Sequence, residues 1–143
     1  MFHLVPYLHF NGEAEEVLNF YKDVFNGEVI ALNRYADSPM QVNEDWKNKI
    51  IHSRIKFGDN IIMISDSHNG QLASKEGNIQ LSVEVDDEKK IEEVFNKLAE
   101  GGKVTMPLAK QFWGATFGML QDKFGVNWMF NHEEKNNSKH DNK

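Results

Sequence analysis

Two stretches of the chain share the pattern Lys-Phe-Gly-x-Asn followed by three apolar residues, at residues 56–63 and 123–130. They are separated by 67 residues (123 minus 56), which is close to half of the 143-residue chain. Similarity at such a period is the sequence signature of a duplicated structural unit. One five-residue match can arise by chance, so this interpretation needs a second pair of similar segments.

The helical parts of the two halves supply that second pair. Residues 8–29 and 83–104 each run from a strand pattern through a polar turn and a helix pattern to a glycine followed, two residues later, by a valine. We therefore predict an α+β fold of two tandem βαβββ modules built on one plan. Two pairs of residues coincide in this alignment: Phe20 with Phe95, and Gly27 with Gly102.

Hydrophobic periodicity places the remaining elements. Apolar stripes at helical spacing predict one helix after Gly12, with Asn11 as its N-cap, and a second helix capped by Asp86 or Asp87. The polar segment 36–48, which contains Trp46, is interpreted as a long loop and a candidate flap over a site. Alternation of apolar and polar residues predicts eight strands, at 4–10, 28–35, 49–57, 61–65, 79–85, 103–111, 114–121 and 126–131.

These elements define the predicted domain boundaries. The first module covers residues 1–66, a polar linker covers 67–77, and the second module covers 78–131. Residues 132–143 are almost wholly polar and are interpreted as a disordered tail.

Composition excludes several functional classes. The chain has no cysteine, which excludes disulfides and thiolate chemistry. No apolar run approaches the roughly 18 residues that a membrane span needs, and no signal peptide is recognised, so we expect a cytoplasmic protein without a membrane partner. The formal net charge of −6 argues against nucleic acid as a partner, because phosphate contacts require clustered Lys and Arg.

As a set, several short motifs make the chain resemble the PhnB-like family of the glyoxalase/bleomycin-resistance superfamily, also called the vicinal oxygen chelate proteins. The resemblance extends over nearly the whole chain to Asn131, and Lys123 departs from it where the family usually has proline. The motifs are Pro6-Tyr7-Leu8 before Asn11-Gly12, Phe20-Tyr21, His52, Ser65-Asp66, Trp113-Gly114 and residues 122–128.

The resemblance implies that the mixed sheet of each module curls and that paired modules enclose a cleft for a small-molecule ligand. It also implies a homodimer. Relatives in the family carry a label as ubiquinone-pathway methyltransferases, but this sequence has no strand followed by a glycine-rich cofactor loop.

Enzymes of the superfamily commonly hold one divalent metal ion with His, Glu or Gln side chains from the first and last strands of each module. Here these positions fall on Val5, or on Pro6 if the register is off by one, and on Ile62, Gln80 and Met129. Aliphatic and thioether groups are poor ligands for hard divalent ions, and one amide oxygen does not make a site. We therefore predict no metal and no other cofactor, with Glu84 or nearby histidines as the alternative donors of a shifted site.

Polar residues on the face opposite the apolar one are the candidates for chemistry. His52 is the candidate catalytic residue, because imidazole carries protons near neutral pH, and Arg54 is a candidate for holding an anionic group. The competing interpretation is that both are solvated strand residues. The other candidate ligand-binding residues are Tyr7, His9, Gln80 and Ser82, together with an apolar wall of Trp113, Phe117, Met119 and Met129 that could equally be core or dimer contact.

The sequence therefore predicts a PhnB-like protein that binds an unidentified small molecule in a metal-free cleft, and it leaves open whether the protein is an enzyme. One alternative is a metal-dependent lyase or dioxygenase with displaced ligands. A second is a non-catalytic resistance-type protein that sequesters a drug. A third is an interaction module whose cleft is filled by its own side chains.

Overall fold

A computed structural model describes residues 4–67, 79–111 and 114–133 of the chain. The chain divides into two compact units, Met1–Ser74 and Lys75–Lys143. Each unit contains a four-stranded sheet and one α-helix among these residues, in the order βαβββ. The prediction of two modules with one plan is therefore confirmed, whereas most of the predicted linker lies outside the described residues.

In the first unit, the sheet has the strand order β1-β4-β3-β2. β1 pairs with β4 in parallel, and the other pairs are antiparallel. The elements are β1 (Tyr7–Phe10), α1 (Ala14–Phe25), β2 (Glu28–Arg34), β3 (Ile50–Phe57) and β4 (Asn60–Asp66).

The second unit repeats this topology, with the strand order β5-β8-β7-β6 and a parallel pairing of β5 with β8. β8 continues two residues beyond the predicted end of the module at residue 131, so His132 and Glu133 belong to a strand and not to the predicted tail, and the rest of that tail lies outside the described residues. The elements are β5 (Leu81–Glu84), α2 (Glu88–Ala99), β6 (Lys103–Lys110), β7 (Ala115–Gln121) and β8 (Asn127–Glu133).

Each helix covers one face of its own sheet, and the core of each unit lies between that helix and that sheet. Phe25 of α1 stacks on Phe57 of β3 with ring centroids 4.5 Å apart, and Phe95 of α2 meets Phe130 of β8 edge to face at 5.5 Å. Trp128, predicted to point toward the helix, is 1% exposed. Neither described helix is long and apolar enough to cross a membrane.

The two helices show where the sequence alignment was right and where it was one residue off. Both are 12 residues long, and the eighth residue is Tyr21 in α1 and Phe95 in α2; both are buried, whereas Phe20 is only half-buried. The helix alignment therefore pairs Phe95 with Tyr21 rather than with Phe20. Tyr21 occupies the core position because the apolar stripe of α1 runs through it.

The pairing of Gly27 with Gly102 is confirmed. A Cβ on Gly27 would lie 3.0 Å from the carbonyl oxygen of Lys56, and a Cβ on Gly102 would collide with the carbonyl oxygen of Gln121. In each unit, the chain passes close against the end of the third strand as it leaves the helix, and glycine is the residue that fits there without displacing a neighbour.

The two Lys-Phe-Gly-x-Asn stretches are not structurally equivalent. Lys56 and Phe57 lie within β3, whereas Lys123 and Phe124 lie in the turn between β7 and β8. In the pairing of the strands, Tyr7 of β1 lies opposite Met63, so the residue of the first unit that corresponds to Met129 is Met63 rather than Ile62. The turn of the second unit is longer, and this shifts the last strand by one residue relative to the sequence motif.

Asp66, at the end of β4, joins three segments of the first unit. Its carboxylate is buried and accepts hydrogen bonds from the backbone N–H groups of Gly12 at 2.8 Å, Ala14 at 2.9 Å and Ile50 at 3.0 Å. It thereby caps α1 from a distant strand, and the predicted N-cap Asn11 does not fill that role. A carboxylate at this position also interacts favourably with the helix dipole.

The second unit uses two local carboxylates instead. Asp87 accepts hydrogen bonds from the N–H groups of Lys89 and Lys90 and caps α2 as predicted. In the β7–β8 turn, the buried Asp122 accepts hydrogen bonds from the N–H groups of Phe124 and Val126 and from the indole N–H of Trp128. These contacts hold the longer turn in place.

The loop between β2 and β3 is closed at its base. The N–H of Tyr35 donates to Lys49 O, and the N–H of Ala36 donates to Lys47 O, both at 2.9 Å. The hydroxyl of Tyr35 donates to the carbonyl oxygen of Asp66 at 2.7 Å, and burial is the main cause that raises the pKa of this phenol. The loop contains two 3-10 turns, Tyr35–Asp37 and Glu44–Trp46. Hydrogen bonds at its base hold it against β3 and the end of β4.

Replacing Asp66 with Asn is expected to destabilise the protein by about 2–3 kcal/mol, because an amide cannot accept from all three N–H groups and would turn a donor toward one of them. The midpoint of urea unfolding measures this. The matched control is Asp59→Asn, at an exposed turn position, which should leave the midpoint within error. Equal midpoints for the two variants would contradict the assigned role of Asp66.

Asp87→Ala should destabilise the protein in a pH-dependent way. The N–H of Lys90, followed by that of Lys89, lowers the pKa of Asp87 in the folded state below its ordinary value of 3.8. The contribution is therefore complete above the unfolded pKa and is lost as pH falls through the folded one. The difference in thermal midpoint between wild type and Asp87→Ala should shrink as the pH is lowered from 7 to 3. The exposed control Asp86→Ala should have the same thermal midpoint as the wild type at every pH.

Candidate functional site

The candidate site residues of the first unit lie on the face of the sheet that α1 does not cover, here called the open face. Residues that alternate with the helix-facing Ile64 and Asp66 point to this side, which places Met63 and Ser65 on it. By register, Tyr7 and Arg54 both lie opposite Met63, and His9 lies opposite Ser65. The sequence-predicted residues Tyr7, His9 and Arg54, together with His52, are thus brought to one surface.

Tyr7 links the two histidines of this surface. Its hydroxyl lies 3.0 Å from Nδ1 of His52, and the two rings meet edge to face with centroids 5.7 Å apart. On its other side, the ring of Tyr7 stacks on the ring of His9 at a centroid distance of 4.5 Å. Tyr7 remains 39% exposed, so the three rings are packed against one another and still accessible to solvent.

Ser65, on the neighbouring strand β4, contacts His9. Its hydroxyl lies 2.9 Å from Nδ1 of His9, and the residue is only 4% exposed. The pairing occupies Nδ1 of His9 and leaves Nε2 as the remaining ring nitrogen. We call the four residues Tyr7, His9, His52 and Ser65 the Tyr-His cluster.

Arg54 lies beside the Tyr-His cluster, two residues after His52 on β3. The register puts Met63 on one side of it and Ala31 on the other, and neither side chain can pair with a guanidinium. Within the described residues, the Arg54 side chain has no hydrogen bond or ion pair. This distinguishes it from Arg34, which makes a two-pronged contact with Glu15 at 2.8 and 3.0 Å.

The Arg34–Glu15 pair lies away from the cluster, where it joins α1 to the end of β2. The hydrogen bond to Arg34 is the main cause that lowers the pKa of Glu15, and the same contact raises the pKa of Arg34. A shallow depression of about 350 Å³ next to this pair is lined by Gly12, Glu13, Lys49 and other residues around the start of α1. It contains no member of the Tyr-His cluster.

The second unit also has an open face, and it carries the other predicted site residues. Ser82 lies opposite Met129, and Met129 lies opposite Met119, while Phe117 lies opposite Asn131. Gln80 and Ser82 are exposed, and the three apolar residues are half-buried. Trp113 lies outside the described residues.

Ile62 was expected at a ligand position on the open face of the first unit, as Met129 is in the second, and this is wrong. It is 4% exposed and faces α1, and its neighbour Met63 takes the outward position. The last-strand positions for a divalent ion therefore carry thioethers, Met63 in the first unit and Met129 in the second, and Gln80 adds one amide oxygen. In the described parts of the chain, no three His, Cys, Asp or Glu side chains lie close enough to hold a metal ion, so these residues do not fit one.

Sequence reasoning missed two residues of the open faces, Ser65 in the first unit and Met106 in the second. Ser65 was treated only as part of a motif, although its alternation with Ile64 would have placed it next to His9. Met106, which lies opposite Met119, was not singled out because β6 contains irregular register that hides its alternation.

Comparison with known proteins places this geometry in a family. Residues 3–130 match the family model described as 3-demethylubiquinone-9 3-methyltransferase. The crystal structure of protein PA1353 from Pseudomonas aeruginosa is 41% identical, with 93% of this chain and 98% of that chain covered and a TM-score of 0.85.

Two further structures extend the comparison. A putative 3-demethylubiquinone-9 3-methyltransferase, PhnB protein, from Bacillus cereus is 30% identical over 92% of this chain and 99% of that chain, with a TM-score of 0.75. A glyoxalase-related enzyme from Fulvimarina pelagi, 16% identical over 92% of this chain and 89% of that chain, shares the fold with a TM-score of 0.63. The chain belongs to the family described as 3-demethylubiquinone-9 3-methyltransferase, is PhnB-like, and has the fold of a glyoxalase-related protein.

Proposed function

We propose that the protein binds a small molecule on the open face of its first unit, through the Tyr-His cluster and Arg54, without a divalent metal ion. The observation that supports this most directly is the hydrogen bond between Tyr7 and His52 on a solvent-accessible surface. The core does not require it, because α1 covers the other face of the sheet. The surface therefore combines ordered polar groups with access for a ligand.

Arg54 indicates the charge of the ligand. A guanidinium that has no partner among the described residues is suited to a planar anion, because its parallel N–H groups match the two oxygens of a carboxylate. The neighbouring rings of Tyr7 and His52 provide flat apolar surface within the same area. We infer that the ligand carries a carboxylate or similar anion attached to an aromatic or unsaturated group.

His52 is the residue that we propose as the proton carrier. When the ring is fully protonated, Nδ1–H donates to the Tyr7 oxygen and Nε2 can pass its proton to a ligand. After that transfer the neutral ring still donates from Nδ1–H to Tyr7, and Nε2 can take a proton back. Both states keep the hydrogen bond, so Tyr7 holds the ring orientation while the protonation of His52 changes.

Methyl transfer, which the family description names, is not part of this proposal. The turn from β1 to α1 contains one glycine, Gly12, and its N–H is taken by the carboxylate of Asp66. A nucleotide cofactor in an α/β fold needs free backbone N–H groups in a glycine-rich turn. The described residues offer no such turn between a strand and a following helix.

The apolar residues of the second unit's open face, with Gln80 and Ser82, remain predicted ligand contacts.

An NMR titration with benzoate and related aromatic carboxylates tests the proposed site. Binding should shift the side-chain resonances of His52 and Arg54, and Arg54→Gln should weaken it by about tenfold, the cost of losing roughly 1.4 kcal/mol of a charge-assisted contact. Lys56→Gln, on the same strand at an exposed position, is the matched control. Shifts confined to other surfaces, or equal affinity in Arg54→Gln, would contradict the proposal.

Elemental analysis tests the absence of a divalent ion. Protein purified without a chelator should contain far less than one Mg²⁺, Mn²⁺, Fe²⁺, Ni²⁺ or Zn²⁺ per chain, because the positions carry Met63 and Met129 instead of hard ligands. Adding these ions should leave the thermal midpoint unchanged. About one bound ion per chain, with a higher midpoint, would favour a metal-dependent enzyme with displaced ligands.

A further inference from the structure

Three methionines form one row across the open face of the second unit. Met106 of β6 lies opposite Met119 of β7, and Met119 lies opposite Met129 of β8. We propose that this methionine row, Met106, Met119 and Met129, is a binding site for a soft monovalent metal ion of the Cu(I) class. The site lies in a different unit from the Tyr-His cluster, and its ligand has different chemistry.

The side of the sheet is fixed by the residues that alternate with the row. Trp128 and Phe130 flank Met129 and are buried toward α2. Gly118 precedes Met119, and a Cβ on it would lie 2.9 Å from a ring carbon of Phe95 in α2. Met106 shares this side because it lies directly opposite Met119. The row therefore points away from the helix, where all three side chains are half-buried and can be reached from solvent.

The spacing of the strands brings the sulfur atoms within reach of one ion. Residues directly opposite each other in an antiparallel pair have Cβ atoms about 4.5–5.5 Å apart. Methionine has three rotatable side-chain bonds, so the outer two thioethers can lean toward the middle one. Three convergent ligands suit Cu(I), which accepts low coordination numbers.

The ligand type selects the ion. Thioethers are soft, uncharged donors that favour Cu(I) over hard divalent ions such as Mg²⁺ or Ca²⁺. The chain has no cysteine, so no thiolate within it competes for the ion. Phe117 lies two residues before Met119 on the same strand and side, and an aromatic face next to a cation adds a favourable interaction.

An apolar wall for an aliphatic ligand explains the row less well. Such a wall needs apolar area only, and leucine supplies it with better-defined rotamers than methionine. The chain has six methionines, and three of them lie in this single cross-strand row. Beyond apolar area, the three side chains share a thioether sulfur, and a soft metal ion is a ligand that uses it.

The test uses Ag(I) nitrate as a stable probe of the Cu(I) class, in chloride-free buffer, with the full-length protein labelled at the methionine methyl groups. NMR should show the methyl signals of Met106, Met119 and Met129 shifting together and saturating at one Ag(I) per chain. The signals of Met40 and Met63 should stay in place. Met40 is an internal control because it lies in the exposed β2–β3 loop.

Met119→Leu keeps the apolar area and removes the central sulfur, so it should weaken Ag(I) binding by about tenfold or more. Met40→Leu should bind as the wild type does, and Met129→Leu serves as the second variant if Met119→Leu does not fold. The proposal is overturned if Ag(I) shifts only the histidine signals, or if the folded Leu variants of the row retain wild-type affinity. Neither result bears on carboxylate binding at Arg54, so the two proposals fail separately.

Discussion

The buried carboxylate of Asp66 is the contact on which the first unit depends. One side chain satisfies backbone N–H groups from the β1–α1 turn, the first residue of α1 and the first residue of β3. Because a buried unpaired N–H costs more than a typical hydrogen bond gains, these three segments are held in one relative arrangement. That arrangement also sets β1 beside β4, and the Tyr-His cluster lies on those two strands and β3.

Alternation along the strands separates stability from chemistry. Residues on one side of each sheet pack against a helix and form the core. Residues on the other side do not take part in core packing. In the first unit these outward residues are mostly polar or aromatic around one methionine, Met63, and in the second they include three methionines. The two units thus share a fold while presenting chemically different surfaces, so the duplicated plan does not imply a duplicated function.

The sequence predicted the element order, the core face of the helices and the outward positions of His9, His52 and Arg54, because periodicity and register carry that information. It misplaced Ile62 and Phe20 because a single inserted residue in a turn or helix end changes which side a residue faces, and the Lys-Phe-Gly motif concealed the insertion. The contacts between Tyr7 and His52, and between His9 and Ser65, join residues more than 40 positions apart and depend on side-chain rotamers. Hydrophobic patterning does not encode such contacts.

The two helices are closed at their N-termini in different ways, and this has a kinetic consequence. Asp87 adjoins α2, so α2 can complete its first turn from nearby residues alone. The corresponding groups of α1 wait for Asp66, which lies 52 positions away from Ala14. Bringing such distant groups together carries an entropy cost that a local cap avoids. The two halves of the chain therefore differ in autonomy: one helix is self-sufficient at its start, and the other becomes complete only when its sheet assembles.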